Sequence, residues 1–570
     1  MNTVDTLVAE VSAARLMASV QALCRIGEKV SGTDEERRAC DYLTGELSRY
    51  GVAWQVHEFD ALISHPIATE LRVDGTAVAA VGVAFARDTG PEGIEAEVVW
   101  AGTGKDSDYA GLDVRGKIAL IGTLPEYGVC AAAQRAGAVA LIGGSSGPQR
   151  HKMTCSPIWG SPASDAQRRQ IPDIAAASVS KPDLERLRSL AAQATRVRLV
   201  AQMDTRWRSV RLPVAEIAGA EPEFLLGGSH YCTWFDGATD NVAANAILLE
   251  LARVFEGGKP RFGLRLAWWP GHSQGRYAGS AWYADQFWQD LHERCIGYLN
   301  IDINGSRGAE IKALRNVTAE AERFAAAAIA QEAGASDPSA ERMLKRPDRH
   351  ADRKRPHRGS DQSFLGIGLT SLQMSSFLGE SDPYRVPGGG LPRWWHTQED
   401  TADQVDPDVL AADARIHVRL VHGLLQADAL PFELEAIADD FEAALRELQE
   451  AMPELALLGE LQRRVQRFRG AASRFATARA TLPSRQVNRT LLATLRLLTP
   501  VLYTTQSGFE PDRATSMRLL PALAPALALR GRSREETLQA GIGLRRAFNR
   551  IAHALDGAVA TLDSFPNFTR

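Results

Sequence analysis

The sequence predicts an α/β fold: a mostly parallel, mixed sheet with helices on both faces, a smaller α/β insert, and an all-helical region at the end. Three patterns indicate this fold. Short apolar runs alternate with helical segments after residue 206, so residues 1–62 and 206–425 are assigned to one principal domain. β-branched runs separated by glycine-rich turns occupy residues 63–205, and amphipathic helical segments occupy residues 426–570. We therefore expect the insert to divide the principal domain.

The first elements are predicted at the N-terminus and in the insert. Residues 4–50 carry apolar positions at helical spacing, which predicts two helices, the second capped by Ser31 or Thr33 and ended by Gly51. In the insert, one short helix is expected over residues 130–136. Strands are expected there at EAEVVWAG, GKIALIG, GAVALIGG and IAAASVS.

The strands of the principal domain are predicted at LPVAEIAG, EFLLGG, GLRLAWW and GYLNIDI. Because they alternate with helices, their carboxyl ends should gather at one edge of the sheet. In the last region, amphipathic segments predict helices over residues 432–451, 454–480, 488–498 and 533–562. Their heptads are not sustained, so a bundle or a contact with a second subunit is favoured over a coiled coil.

The charge balance argues against a nucleic-acid-binding protein, because the 570 residues carry a net charge of −4. No segment holds ~18 consecutive apolar residues, and the N-terminus lacks the pattern of a signal peptide. We therefore expect a cytoplasmic protein with no membrane partner. The absence of CxxC pairs favours buried, reduced thiols for most of the six cysteines, Cys24, Cys40, Cys130, Cys155, Cys232 and Cys295.

The most informative segment is GSHYCTWFDGATDN at residues 228–241. It places His230 and Asp240 ten residues apart, in a loop before a helix predicted over residues 242–255. An imidazole and a carboxylate at such a loop suit Zn²⁺, which needs one or two more ligands of these types. Two candidates follow in the chain, Asp302 in YLNIDING and His396 in RWWHTQEDT.

These residues occur in one order with three further segments, LAWWPGHSQGRYAGS, GSDQSF at residues 359–364, and HTQEDT. The order resembles the co-catalytic zinc aminopeptidase family, which includes glutamate carboxypeptidase and the transferrin receptor. The resemblance implies a zinc peptidase-like principal domain and identifies the insert as a protease-associated-type domain. It also identifies the C-terminal helices as a dimerisation domain, which implies a homodimer.

Three positions depart from the family pattern. Cys232 stands where the family has an aspartate that orients the first histidine, so it is either a packing residue or a functional thiol near the metal. His272 and Ser273 replace a Glu-Glu pair, whose first member is the general base and whose second is a metal ligand. An imidazole can act as a base near neutral pH, but His272 could instead join the metal ligands. Ser273 offers only a weak hydroxyl ligand.

The resemblance then implies two unequal metal positions. The first keeps His230, Asp240 and Asp302, whereas the second keeps only Asp240 and His396. We expect zinc at the first position and an incomplete second site. Manganese, cobalt and nickel would accept the same ligands.

Several neighbours could fix a substrate. Arg276 in GRYAGS could grip a carboxylate with its guanidinium, or it could pair with an internal acid. Tyr277 lies beside it, and Trp395 offers an indole N–H or an apolar wall. The basic run over residues 342–358 is either a solvated loop or a rim that attracts anionic substrates.

Together these observations predict a metal-dependent hydrolase that cleaves a peptide or N-acyl amide bond in a small, carboxylate-bearing substrate, with His272 in the position of the general base. Ser360 and Asp361 are expected to shape its site, and Asp400 to cap a loop. The alternative is a catalytically inactive or repurposed binding or scaffold protein with the same fold.

Overall fold

The computed structural model describes residues 3–333, 360–379, 381–385, 391–453, 455, 457–505, 507–515, 517–529 and 531–564. The basic run over residues 342–358 and Gly359 of the GSDQSF segment lie outside the described residues.

The described strands are β1 (Ala53–Val73), β2 (Thr76–Val78), β3 (Ala80–Ala84), β4 (Ile94–Trp100), β5 (Ile118–Ile121), β6 (Ala140–Gly144), β7 (Met153–Thr154), β8 (Ala175–Val179), β9 (Arg196–Ile217), β10 (Phe224–His230), β11 (Gly263–Trp269), β12 (Cys295–Ile301), β13 (Ile311–Leu314) and β14 (Ser371–Phe377). The described α-helices are α1 (Val4–Ala9), α2 (Ala13–Cys24), α3 (Asp34–Tyr50), α4 (Tyr127–Ala136), α5 (Asp165–Arg168), α6 (Lys181–Ala191), α7 (Ala243–Phe255), α8 (Ala278–Gln286), α9 (Trp288–Arg294), α10 (Glu322–Ala333), α11 (Pro407–Leu425), α12 (Leu434–Ala451), α13 (Leu457–Ala478), α14 (Ser484–Tyr503) and α15 (Arg534–Asp563).

The N-terminal part forms three helices, so the prediction of two is wrong in number. The extra helix forms because Thr3 and Ser12 each accept a backbone N–H, which caps α1 and α2 separately. Of the two candidate caps for α3, Thr33 is the one observed, and Gly51 ends the helix at a φ of 78°. Ser31 instead accepts the backbone N–H of Gly271, 2.7 Å away.

The principal sheet has the strand order β13-β14-β12-β10-β11-β9. Its central strands β11, β10, β12 and β14 are parallel, whereas β9 and β13 pair antiparallel at either side. Helices α2, α3, α7 and α11 share an apolar core with one face, and α8 and α9 cover the other. The predicted mixed α/β sheet with helices on both faces is confirmed.

A long antiparallel ribbon of β1 and β9 carries the chain from the principal sheet into the insert. The predicted domain boundaries, after residues 62 and 205, lie nearly opposite each other on the two strands of this ribbon. Leu62 pairs with Trp207, and Ser64 pairs with Thr205. The insert continues from β9 through β4, β5, β6, β8, β3 and β7. Besides α4, which covers the predicted helix, it contains α5 and α6, so the prediction of a single helix there is wrong. Ser180 caps α6, with a proline in its first turn.

The C-terminal region is helical, as predicted. Helix α13 packs against α12 and α15, and α14 packs against α15. The first half of α15 is exposed, including Leu538 and Ile542 on its surface. Among the described residues, every helix is too short or too polar to cross a membrane.

Candidate metal centre

The site lies where three neighbouring parallel strands end. Strand β10 pairs with both β11 and β12, so their carboxyl ends lie side by side. His230 is the last residue of β10, His272 follows β11 by three residues, and Asp302 directly follows β12. The fold therefore gathers at one edge the ligand types that the sequence places after separate apolar runs.

His230 and two carboxylates form the centre of the site. Its Nε2 lies 3.1 Å from Asp240 Oδ1 and 3.7 Å from Asp302 Oδ1, and all three side chains are buried. Its Nδ1–H donates to the Cys232 carbonyl at 2.9 Å, which leaves Nε2 to face the carboxylates. Burial would lower the pKa of His230, but the carboxylates outweigh it and raise that pKa, while the His230 imidazole holds the Asp240 pKa low despite burial.

The donor set fits a divalent metal. Asp302 Oδ1 is buried and lacks a hydrogen-bond partner within the part of the chain that the structure describes, although a buried carboxylate oxygen normally has one. Asp302 Oδ2, in contrast, accepts from Ser360 Oγ at 2.6 Å. Ligand-type atoms of His230, His272 and Asp302 all lie within 4.8 Å of one another. One imidazole nitrogen and two carboxylate oxygens, one of them unpartnered, suit Zn²⁺.

A second candidate position, with fewer ligand-type groups among the described residues, lies on the other side of Asp240. Its Oδ2 is 3.0 Å from His396 Nε2, and the Nδ1–H of His396 donates to the Lys152 carbonyl of the insert at 2.9 Å. Ser273 is half-buried and makes no side-chain hydrogen bond among the described residues. Asp400 acts on the loop backbone, because it accepts from the backbone N–H groups of Thr239 and Asp240. Burial raises the pKa of Asp400 to about 7.

His272 lies beside the candidate metal position of His230, and neighbouring side chains fix the orientation of its ring. Its ring stacks on that of His230 with 3.8 Å between centroids, and its Nδ1–H donates to Asp361 Oδ2 at 2.7 Å. Asp361 is fully buried and also accepts from Ser280 Oγ at 2.8 Å. The backbone N–H of His272 donates to Cys232 Sγ at 3.1 Å, so Cys232 contacts both histidines. In the neutral ring, this arrangement makes Nε2 of His272 the nitrogen that is available to accept a proton.

The other candidate residues lie around this centre. Tyr277 is buried, with its ring 4.9 Å from that of His272 in an edge contact. The Nη2 of Arg276 donates to the Ala514 carbonyl at 2.7 Å, and no carboxylate pairs with Arg276 among the described residues. Trp395 stacks on His396 at 3.6 Å.

Sequence reasoning missed three contributors to the site. The first is the contact of Asp361 with His272, which are 89 residues apart. The others come from the insert, where the Lys152 carbonyl holds His396 and the Trp159 indole N–H donates to Ser363. A backbone carbonyl leaves no signal in a sequence. The GSDQSF segment, one of the motifs that carry the family resemblance, is the sequence signal that points to Asp361.

Comparisons with known proteins find similarity over two parts of the chain. Residues 214–421 match the model of Peptidase family M28, and residues 92–187 match that of the PA domain. The chain is 27% identical over 357 residues to the probable glutamate carboxypeptidase VP8 of Zea mays, covering 51% of this chain and 50% of the relative. It is 25% identical over 413 residues to the aminopeptidase NAALADL1 of Mus musculus, covering 65% and 54%. The chain thus spans about half the length of these curated relatives.

Two solved structures share the fold. An aminopeptidase from Aneurinibacillus sp. strain AM-1 superposes with a TM-score of 0.55 at 21% identity, covering 74% of this chain and 96% of the other. The zinc aminopeptidase BSAP from Bacillus subtilis gives a TM-score of 0.57 at 19% identity, covering 73% and 96%. The resemblance that the sequence motifs indicate is confirmed: residues 214–421 are similar to Peptidase family M28 and residues 92–187 to the PA domain.

Proposed function

We propose that this protein is a metal-dependent hydrolase that cleaves a peptide or N-acyl amide bond in a small, carboxylate-bearing substrate. One observation carries the proposal: His230, Asp240 and Asp302 converge with an unpartnered carboxylate oxygen, beside a histidine whose other nitrogen is held by a buried aspartate. The match to Peptidase family M28 supports it.

Three side chains, His230, Asp240 and Asp302, would hold one zinc ion. When bound, the ion polarises the scissile carbonyl and lowers the pKa of water. A second metal position would have two ligands, the shared Asp240 carboxylate and one nitrogen of His396. We therefore propose one well-held ion per chain.

His272 is proposed as the general base. Because its Nδ1–H donates to Asp361, the ring has the tautomer in which Nε2 accepts a proton. The Asp361 carboxylate then stabilises the imidazolium that results. The alternative role, a metal ligand, is supported by the 4.8 Å cluster of His272 with His230 and Asp302. His272→Ala separates the two roles: a base leaves zinc content unchanged and hydrolysis lost, whereas a ligand loses both.

The substrate carboxylate is proposed to meet Arg276, with Tyr277 and Trp395 as apolar walls. Arg276 Nε is buried and unpartnered among the described residues, and such a donor suits a carboxylate. Its Nη2 is already held by the Ala514 carbonyl, which would fix the guanidinium in place.

The deciding experiment is metal content per chain, measured by mass spectrometry on protein purified without added metal or chelator. We expect about one zinc in the wild type and loss in His230→Ala, whereas the control His553→Ala, on the exposed surface of α15, keeps its zinc. Wild type with zinc is then screened against dipeptides and N-acyl amino acids. Absence of metal, with none taken up on titration, refutes the hydrolase.

A binding or scaffold protein is the second candidate. The incomplete second metal position favours it. Asp240 and His396 form that position, and Ser273 contributes no charge and makes no side-chain hydrogen bond among the described residues. Tight zinc binding without turnover of any dipeptide or N-acyl amino acid would select it.

We also propose that two copies associate through α15. Leu538 and Ile542 are four residues apart on one helix face, and 61% and 58% of their surfaces are exposed. Leu538→Glu with Ile542→Glu should convert a dimer into a monomer in light scattering, and a wild type that is already monomeric refutes this. A cytoplasmic location is proposed from the six buried, unpaired cysteines, and cell fractionation tests it.

A further inference from the structure

A chain of hydrogen bonds connects the PA insert to His272. The indole N–H of Trp159, in the insert, donates to Ser363 Oγ at 2.8 Å. Ser363 and Ser280 lie 2.8 Å apart, oxygen to oxygen. Ser280 Oγ donates to Asp361 Oδ1 at 2.8 Å, and the other carboxylate oxygen accepts the Nδ1–H of His272 at 2.7 Å.

The direction of each hydrogen bond follows from the donors available. The Ser280 hydroxyl has two acceptors that cannot donate, the Asp361 carboxylate at 2.8 Å and the Tyr277 carbonyl at 3.3 Å, and its single proton goes to the nearer, charged one. Ser363 must then donate its own proton to Ser280, which leaves the Ser363 oxygen to accept the Trp159 N–H. All the donors therefore point toward Asp361, and each bond polarises the next.

The hydrogen-bond chain is closed to water except at Ser363, which is half-buried. Asp361 and Ser280 are fully buried, and Trp159 is 3% exposed. Because Trp159 and Ser280 are buried, solvent reaches this path only at Ser363, so a removed donor is incompletely replaced and the Asp361 carboxylate would lose part of its support. With fewer donors it would hold the His272 ring less firmly.

Ring contacts follow the same path. The Trp159 ring lies 4.1 Å from that of Tyr277, whose ring meets His272 edge-on at 4.9 Å. The next residue, Gly160, has a φ of 74° and donates its N–H to the Arg276 carbonyl at 2.6 Å. An added Cβ at Gly160 would lie 2.7 Å from the Ala281 Cβ, so the insert sits tightly against the start of α8.

We propose that Trp159 is a positioning residue: the docked PA insert sets the orientation of the His272 base through Ser363, Ser280 and Asp361. The inference rests on the proposed hydrolase. It implies that loosening this contact slows turnover while zinc and substrate still bind.

The test compares kcat and KM of the full-length, zinc-loaded chain with its best dipeptide substrate. Trp159→Phe removes the N–H and keeps an aromatic ring, and Ser363→Ala removes its acceptor. Each should lower kcat about fivefold, the effect of one hydrogen bond, with KM and zinc content unchanged. The control Trp100→Phe makes the same substitution elsewhere in the insert and should match the wild type.

A double-mutant cycle separates positioning from a general structural effect. Asp361→Asn removes the last link, so Trp159→Phe added to it should cause no further loss of kcat. An unchanged kcat in Trp159→Phe and Ser363→Ala, or losses that multiply in the double variant, overturns the inference and leaves the hydrolase standing.

Proton NMR gives a second readout that needs no activity. The Nδ1–H of His272 bonded to Asp361 should give a strongly downfield signal that disappears in Asp361→Asn and shifts in Trp159→Phe but not in Trp100→Phe. If no substrate is hydrolysed, the proposed function fails, and this signal alone decides the inference. A signal unmoved by Trp159→Phe overturns it.

Discussion

Glu36 links the N-terminal helices to the strand that carries His230, and its burial predicts a pH-dependent stability. Its side chain is fully buried, and Oε1 accepts from the Tyr231 hydroxyl at 2.6 Å and from the Arg211 backbone N–H at 3.0 Å. Oε2 is unpartnered among the described residues. Burial raises the pKa of Glu36 from 4.5 to about 7, against the lowering effect of these two hydrogen bonds.

The sign of the effect follows from proton linkage. Between pH 4.5 and about 7 the folded chain keeps a proton on Glu36 that the unfolded chain has lost. The stability that the protonated carboxyl contributes is therefore full below pH 4.5 and is lost as the pH rises to about 7. A difference of this size corresponds to about 3 kcal/mol in the free energy of unfolding.

Glu36→Gln removes this titration and keeps an oxygen for Tyr231 and Arg211. The free energy of unfolding of the variant, relative to wild type, should rise by about 3 kcal/mol between pH 4.5 and pH 8. Urea denaturation of metal-free protein at both pH values measures it. Glu35→Gln, on the partly exposed neighbour that pairs with Arg38, is the control and should change little. An equal difference between Glu36→Gln and wild type at both pH values would refute the reasoning.

Three further substitutions test the surroundings of the centre. Ser360→Ala removes the 2.6 Å hydrogen bond to the Asp302 carboxylate and should weaken zinc affinity by about 10- to 100-fold in a competitive chelator titration; an unchanged affinity would contradict Asp302 as a ligand. Lys312→Met leaves the buried Asp413 carboxylate unpaired and should cost about 3 kcal/mol in urea unfolding, whereas Arg37→Met, at an exposed pair, should cost less than about 1 kcal/mol. Gly160→Ala should cost about 2 kcal/mol through its positive φ and the clash at Ala281, and equal stability with Gly128→Ala, where an added Cβ meets nothing within 4 Å, would contradict this.

The sequence predicted those parts of the site whose signal is local. His230 and Asp302 each follow an apolar run that forms a strand, so their type and place could be predicted together. The fold class was predicted for the same reason. The number of N-terminal helices was not, because a polar cap at Ser12 divides one helical pattern into two helices. The pairing of His272 with Asp361 depends on how α8 packs against the loop before β14. The spacing of residues in the sequence does not predict such packing.

The arrangement of carboxylates supports the proposed hydrolase over the binding or scaffold protein. Asp240 gives one oxygen to His230 and the other to His396, yet among the described residues only the first position gains a further carboxylate, that of Asp302. A buried carboxylate such as Asp361 is costly unless donors satisfy it, and here a histidine and a serine do so in full burial. Because this carboxylate is satisfied and holds His272 beside His230 and Asp302, it supports the proposal that a His–Asp pair takes the place of a carboxylate base at this site.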